Sequence, residues 1–147
     1  MLNAIWPPRM PTGTAALDML HREFLHDLAC LACESEKNFE QRYRAFVQTA
    51  EYVFSTEEQW MEMIDCPALK HHREQHARAL GALHHVHLMV MCGDLETGRD
   101  VAVRLLPQWF TFHAATMDTA LGMELQSANA DLALVMPEPY IPYAEHM

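Results

Sequence analysis

The sequence predicts an all-α domain, an antiparallel up-down-up-down four-helix bundle with an N-terminal arm and a Pro-rich C-terminal tail. Three observations carry that expectation. Gly and Pro concentrate in a few places and leave long stretches of helix-forming composition between them. Within those stretches apolar residues recur at helical spacing, whereas β-branched residues are sparse and no run alternates with a period of two. The connections are short, which makes consecutive helices antiparallel neighbours.

After Pro7, Pro8 and Pro11, Thr12 or Thr14 is placed to cap a first helix that reaches about Glu34, with Leu17, His21, Leu25 and Leu28 along one stripe. A second helix is expected from about Lys37 to Ile64. It must stop before Cys66-Pro67, because a residue preceding proline is driven out of the α region, and Pro67 then suits the first turn of a third helix. Gly93 ends that helix. Asp94 caps a fourth, from about Leu95 to Ser127, in which Pro107 removes a backbone donor and bends the axis. Pro137, Pro139 and Pro142 exclude a continuous helix at the end of the chain. Residues 128–147 are therefore expected as an extended strap across a bundle made by residues 1–127, of which residues 1–12 form the arm. No internal repeat is visible.

The 147 residues contain 10 Lys+Arg and 20 Asp+Glu, a net charge of −10. Binding nucleic acid or an anionic membrane surface requires clustered cations, so this balance argues against both partners. No apolar run approaches the roughly 18 to 20 residues of a membrane span, and the opening MLNAIWPPRM lacks the order of a signal peptide. A cytoplasmic protein is expected. Cys30, Cys33, Cys66 and Cys92 are too few and too scattered for a disulfide framework and read as reduced thiols.

Histidine, at 10, is as frequent as Lys and Arg together. His72 and His76 in KHHREQHARAL stand at i and i+4, a rotation of about 40° that lets two imidazoles hold one metal ion. A zinc protease would need HExxH; Arg73 holds the place of that glutamate and Glu74 comes one position late. In WFTFHAATMD, His113 and Asp118 are five residues apart, about 140° around an ideal helix. Both side chains can still reach a central site in a bundle core, the His as a terminal ligand and the Asp as a bridge. Glu57 and Glu58 on the second helix and His21 on the first complete the set. Taken singly, an acid pair is usually a solvated face and a lone His among leucines a hydrogen-bonded core residue.

Taken together, their order resembles the hemerythrin family. The resemblance runs from Ile5 to about Leu125 through IW with MPTG downstream, LDMLH, EEQWM, CPALKHHREQH, and WFTFHAATMD with its Trp four residues before the His. It implies a four-helix bundle holding two non-haem irons with an oxo or hydroxo bridge. It further implies that His72, His76 and His113 are terminal ligands of one iron, that Glu57 and Asp118 bridge, and that His21 serves the second iron. The ligand would be O2 or a related small molecule, in an apolar pocket lined by Trp109 and Phe110; ordinary core packing is the plainer reading of Phe110.

One position departs from the family pattern. Its second-helix motif is HxxxE, and the residue one turn before Glu57 is Val53, which cannot bind a metal. Glu51 and Tyr52 sit further around the helix, and shifting the register to Glu58 gives Phe54. Two near-octahedral irons offer about twelve coordination places. The family pattern leaves one open; here two are open, both on the iron held by His21. Three functions follow from that count: a binding or sensing module for O2, an enzyme reducing peroxide or nitric oxide at the open iron, or a structural descendant with one iron or none. The first is favoured, because histidine-rich ligation supplies less anionic charge than carboxylate-rich oxygenase sites.

Two further motifs stay outside this set. Cys30 and Cys33 form a CxxC facing away from the His21 stripe, without a second pair to complete a zinc site. His84, His85 and His87 lie too far along the third helix, His87 about 16 Å from His76, to join the site and are expected at the surface or bundle end. The 11 methionines read as core filler, with Met117 beside Asp118 a candidate to border the pocket.

Overall fold

The computed structural model describes residue 12 and residues 14–128. All the regular structure in them is helical, and it forms a four-helix bundle. The first three helices are α1 (Ala15–Ala32), α2 (Phe39–Met63) and α3 (Leu69–Met91). The fourth is assembled from α4 (Leu95–Asp100), α5 (Leu106–His113) and α6 (Thr119–Ala128), joined by single π turns at Val101–Leu105 and Ala114–Asp118. The arm over residues 1–12 and the tail over 128–147 lie outside the described residues, apart from Thr12 and Ala128.

Each helix buries one stripe. Leu17, Leu20, His21, Phe24, Leu28 and Leu31 of α1 follow a three-and-four spacing and face Phe46, Ala50, Val53, Phe54 and Trp60 of α2. The Tyr43 hydroxyl donates to the Leu83 carbonyl at 2.9 Å, joining α2 to α3 inside the core. Arg99 of α4 donates to the carbonyls of Ala32 (3.1 Å) and Glu34 (2.8 Å), so the orphan carbonyls ending α1 are met by a cation from the fourth helix.

Helix ends differ from the sequence expectations in instructive ways. The first helix ends at Ala32, two residues early, and a 3-10 turn at Glu36–Asn38 precedes α2 in place of a helix beginning at Lys37. Pro67 lies in the turn before α3 and not in its first turn. Thr14 occupies the N-cap position of α1 without capping it: its hydroxyl donates to the Gly122 carbonyl at 3.2 Å. Asp18 instead accepts from the Thr12 backbone N–H (2.8 Å) and hydroxyl (2.9 Å). Asp94 caps α4 as expected, accepting from the Thr97 N–H at 3.1 Å and hydroxyl at 2.7 Å. Gly93, with φ of 100°, ends α3 in the left-handed region.

The fourth helix is not continuous, and Pro107 explains its first interruption. A proline ring collides with the carbonyl four residues back, here that of Val103. The π turn at Val101–Leu105, closed by the Leu106 N–H donating to the Val101 carbonyl, widens the helix there.

Gly98 is where α4 meets the rest of the bundle. A Cβ at this position would lie 2.5 Å from Val90 Cγ2 and 2.8 Å from Phe39 Cε1. Gly98→Val should therefore destabilise the fold by about 1–3 kcal/mol, the usual range for overpacking. Chemical denaturation checks this; an unchanged midpoint would show that α4 can move off Phe39 at no cost.

Candidate metal centre

Six polar side chains meet at the middle of the bundle, and each is almost completely buried: His21 is 6% exposed, His113 2%, and Glu57, His72, His76 and Asp118 1% each. They come from α1, α2, α3, α5 and the second π turn. His72 and His76 lie one turn apart on α3 with ring centroids 4.6 Å from each other, and both face the His113 ring, at 4.9 and 5.1 Å.

The π turn resolves the separation of His113 and Asp118. On an ideal α-helix five residues leave two side chains about 140° apart. Here the Thr119 N–H bonds the Ala114 carbonyl, so i and i+5 stack as successive turns and Asp118 Oδ1 comes to 3.2 Å from His113 Nε2. The Thr119 hydroxyl donates to the same Ala114 carbonyl at 2.9 Å.

Both carboxylates divide their oxygens between two sides. Glu57 Oε1 lies 3.2 Å from His21 Nε2, while Oε2 lies 3.3 Å from His72 Nε2 and 3.3 Å from His76 Nε2. Asp118 Oδ2 is 3.2 Å from His21 Nε2, and Oδ1 is 3.1 Å from His72 Nε2 and 3.2 Å from His113 Nε2. Two groups of donors result, each drawn together closely enough to hold a cation: Glu57, His72, His76 and His113 on one side, His21, Glu57 and Asp118 on the other.

The donor set fits a metal better than it fits itself. Neither oxygen of Asp118 has a hydrogen bond, and neither ring nitrogen of His113 nor Nε2 of His76 has one, although all are buried. Buried polar atoms converging on a common point with so few hydrogen bonds are costly unless a positive charge lies among them, a metal ion or the proton of an imidazolium. Without a metal the site is held by protons. Burial alone would lower the imidazoles, but the carboxylates of Asp118 and Glu57 push His21 up to about 10 and His72 to about 9, and Glu57 and Glu58 raise His76. Burial would likewise raise the acids. The facing imidazoles reverse this, holding Glu57 well below the usual carboxylate range and Asp118 at about 2.

Around the donors stand rings and one further carboxylate. Phe54 stacks on His76 (4.1 Å between centroids), Trp109 on His113 (4.5 Å), and Phe110 meets His21 edge-on at 5.2 Å while stacking on Phe24 at 5.0 Å. A groove of about 390 Å³ between α3 and the fourth helix is lined by Ala79, Leu83, Val86, Val101, Leu106 and Trp109. Glu58 accepts from His76 Nδ1 at 2.8 Å and is itself paired with Arg73 at 3.3 Å. A carboxylate on the far nitrogen of a metal-binding imidazole fixes its tautomer and orientation. Sequence alone gives Glu58 no role distinct from Glu57; its partner His76 lies 18 residues on, as His72 lies 15 beyond Glu57.

Val53 lies one turn before Glu57, 1% exposed within the apolar core, and no further His, Cys, Asp or Glu among the described residues joins His21, Glu57 and Asp118. The other motifs stay apart from the centre. Cys30 lies 3.7 Å from His26, with its thiol pushed up by burial, and Cys33 is exposed. His84 pairs with Glu51 and His87 with Glu40, each at 2.9 Å. Met117 is half-buried beside Asp118.

Imidazoles must lose their protons to bind a metal, and His21 and His72 hold theirs up to pH values of about 10 and 9. Loading the metal-free protein with a divalent cation at pH 7 should release protons. Apparent affinity should rise between pH 6.5 and 9, by about tenfold per unit for each proton displaced. A pH-indicator titration in weak buffer measures the release, and uptake without acidification would contradict imidazole ligation. Glu58→Ala should weaken metal affinity by about 10- to 100-fold through His76, measurable by chelator competition.

A protein named Bacteriohemerythrin from Ralstonia nicotianae (strain ATCC BAA-1114 / GMI1000) is 32% identical to this chain over 126 residues, which cover 86% of the chain and 91% of the relative. No family model matches the chain. No solved structure matches it either.

Proposed function

Because the chain belongs to the hemerythrin family, we propose that its metal centre is a non-haem di-iron site that binds O2 or a related small ligand for storage, delivery or sensing. The observation that carries this reading is the way Glu57 and Asp118 each turn one oxygen toward His21 and the other toward the three histidines of α3 and α5. Carboxylates so divided are disposed to bridge two ions. His72, His76 and His113 would hold the first iron, and His21 the second, more weakly held one. When bound, the iron pair supplies reversible coordination of a diatomic ligand.

The residues supply the surroundings. Phe54 and Trp109, stacked on His76 and His113, fix the planes of two imidazoles, and Glu58 fixes the tautomer of His76. Trp109, Phe110 and Phe24 present apolar surface near the donors and exclude water from them. No helix among the described residues is long and apolar enough to cross a membrane. The net charge of −10 favours neither nucleic acid nor an anionic membrane surface. We further place the protein in the cytoplasm and the helices in up-down-up-down order, which the short links at 33–38, 64–68 and 92–94 favour.

Anaerobic iron loading tests the reading through metal content per chain and the absorption spectrum before and after air is admitted. Close to two irons with a new visible band on exposure to O2 is expected. One iron or fewer, with a spectrum indifferent to O2, would replace it with a mononuclear or structural role. His72→Ala should remove most of the bound iron, and full retention would overturn the ligand assignment.

A further inference from the structure

We infer that the two metal positions differ in selectivity: the position among His72, His76 and His113 prefers Fe(II), whereas the His21 position accepts Mn(II) on nearly equal terms with Fe(II). The centre then fills as a mixed iron–manganese pair when both ions are present. This rests on reading the six residues as a two-metal centre and deepens that reading.

The two sides differ in their donors. The first position has three imidazole nitrogens, from His72, His76 and His113, with Glu57 Oε2 and Asp118 Oδ1 beside them. The second has one, His21 Nε2, with Glu57 Oε1 and Asp118 Oδ2 each 3.2 Å away. Among the described residues no further His, Cys, Asp or Glu stands at hand to complete it. Val53 fills the place one turn before Glu57, and the ring packed against His21 is that of Phe110. The described residues leave the remaining coordination places on that side open.

Imidazole donors strengthen binding along the order from Mn(II) toward the later first-row ions, whereas carboxylate and water oxygens suit Mn(II) well. Replacing a nitrogen-rich set by one nitrogen and two carboxylate oxygens therefore removes most of the basis for choosing iron over manganese. The same donors do not suit other hard ions. Ca(II) takes six to eight oxygens, and Mg(II) keeps several waters and has little use for an imidazole. This chain's own Val53 widens the difference, because a nitrogen donor at that position would bring the second side to two imidazoles against three on the first.

Competition loading tests it. The full-length metal-free chain is incubated anaerobically with an equal excess of Fe(II) and Mn(II), desalted, and analysed for both metals and by low-temperature electron paramagnetic resonance. About one iron and at least about half a manganese per chain are expected, with the manganese signal broadened by a neighbouring iron. Val53→His should move the content toward two irons and exclude most of the manganese. His21→Ala should lose the manganese and keep one iron, which keeps the test decisive should the Val53 variant fold poorly. Two irons with manganese near zero in the natural protein would overturn the selectivity while leaving the di-iron reading standing. A manganese content unchanged by His21→Ala would overturn the assignment of its site. Failure to take up a second ion of either kind, with iron alone or in competition, would overturn both readings.

Discussion

Two carboxylates in the middle of an apolar bundle set the terms for the rest of this molecule. Glu57 and Asp118 are each 1% exposed, and a buried charge without partners costs several kcal/mol or more. Their compensation is drawn from several helices, with His113 the one partner that shares a helix with its acid, Asp118. It comes from His21 on α1, His72 and His76 on α3 and His113 on α5, each brought to 3.1–3.3 Å of a carboxylate oxygen. The polar centre therefore fixes the rotation of every helix about its axis, a degree of freedom that an apolar stripe leaves loose. Leu17, Phe46, Leu83 and Leu121, fully or nearly buried above and below the centre, can pack only in the register these pairs allow.

The second π turn is the clearest local consequence. His113 and Asp118 must share a face, yet the spacing of five places them about 140° apart on a regular helix. The chain inserts one residue into the turn and the ladder shifts to i+5 at Thr119. Such insertions are frequent at functional sites, where the required placement of side chains outweighs the weaker helix geometry. The first π turn has a different cause, the proline at 107, and the sequence announces it. Two interruptions of identical form thus have unlike origins, one steric and one chemical.

That contrast explains what the sequence disclosed. Helix number followed from breakers and periodicity, and the Asp94 cap from its side-chain chemistry, because these are local causes written in residue types. The six residues that meet at the centre stand out on a different footing: His72 and His76 by their i and i+4 spacing, and the full set with His21, Glu57, His113 and Asp118 by an order that resembles the hemerythrin family, since each alone has an ordinary reading. Partnerships across the bundle were not legible. Thr14 answers to Gly122, 108 residues away, and not to its own helix. Glu58 turns to His76 although it looks identical to Glu57 in sequence. The π turn at Ala114–Asp118 has no residue-type signature either, since it holds no Gly or Pro and alanine and methionine are good formers of an ordinary helix. Each of these depends on what another helix presents, which a single sequence does not state.

Val53 sharpens an asymmetry that the placement of the histidines already creates, three on α3 and α5 against one on α1. On the three-histidine side, aromatic rings hold the imidazoles by stacking: Phe54 on His76 and Trp109 on His113. His76 has a carboxylate, Glu58, on its outer nitrogen, whereas His113 Nδ1 has no hydrogen-bond partner among the described residues. Charge acts there beside packing: His72 and His113 lie 3.1 and 3.2 Å from Asp118 Oδ1, and His72 and His76 each 3.3 Å from Glu57 Oε2. On the other side His21 meets the edge of Phe110 and the two shared carboxylates. An ion entering either half separates imidazole–carboxylate pairs and displaces a proton, from His72 on one side and from His21 on the other. The halves differ in the donors they present, three imidazole nitrogens, two of them braced by stacked rings, against one. Occupation of the two halves is therefore expected to be sequential, the three-histidine side first, because more nitrogen donors converge there.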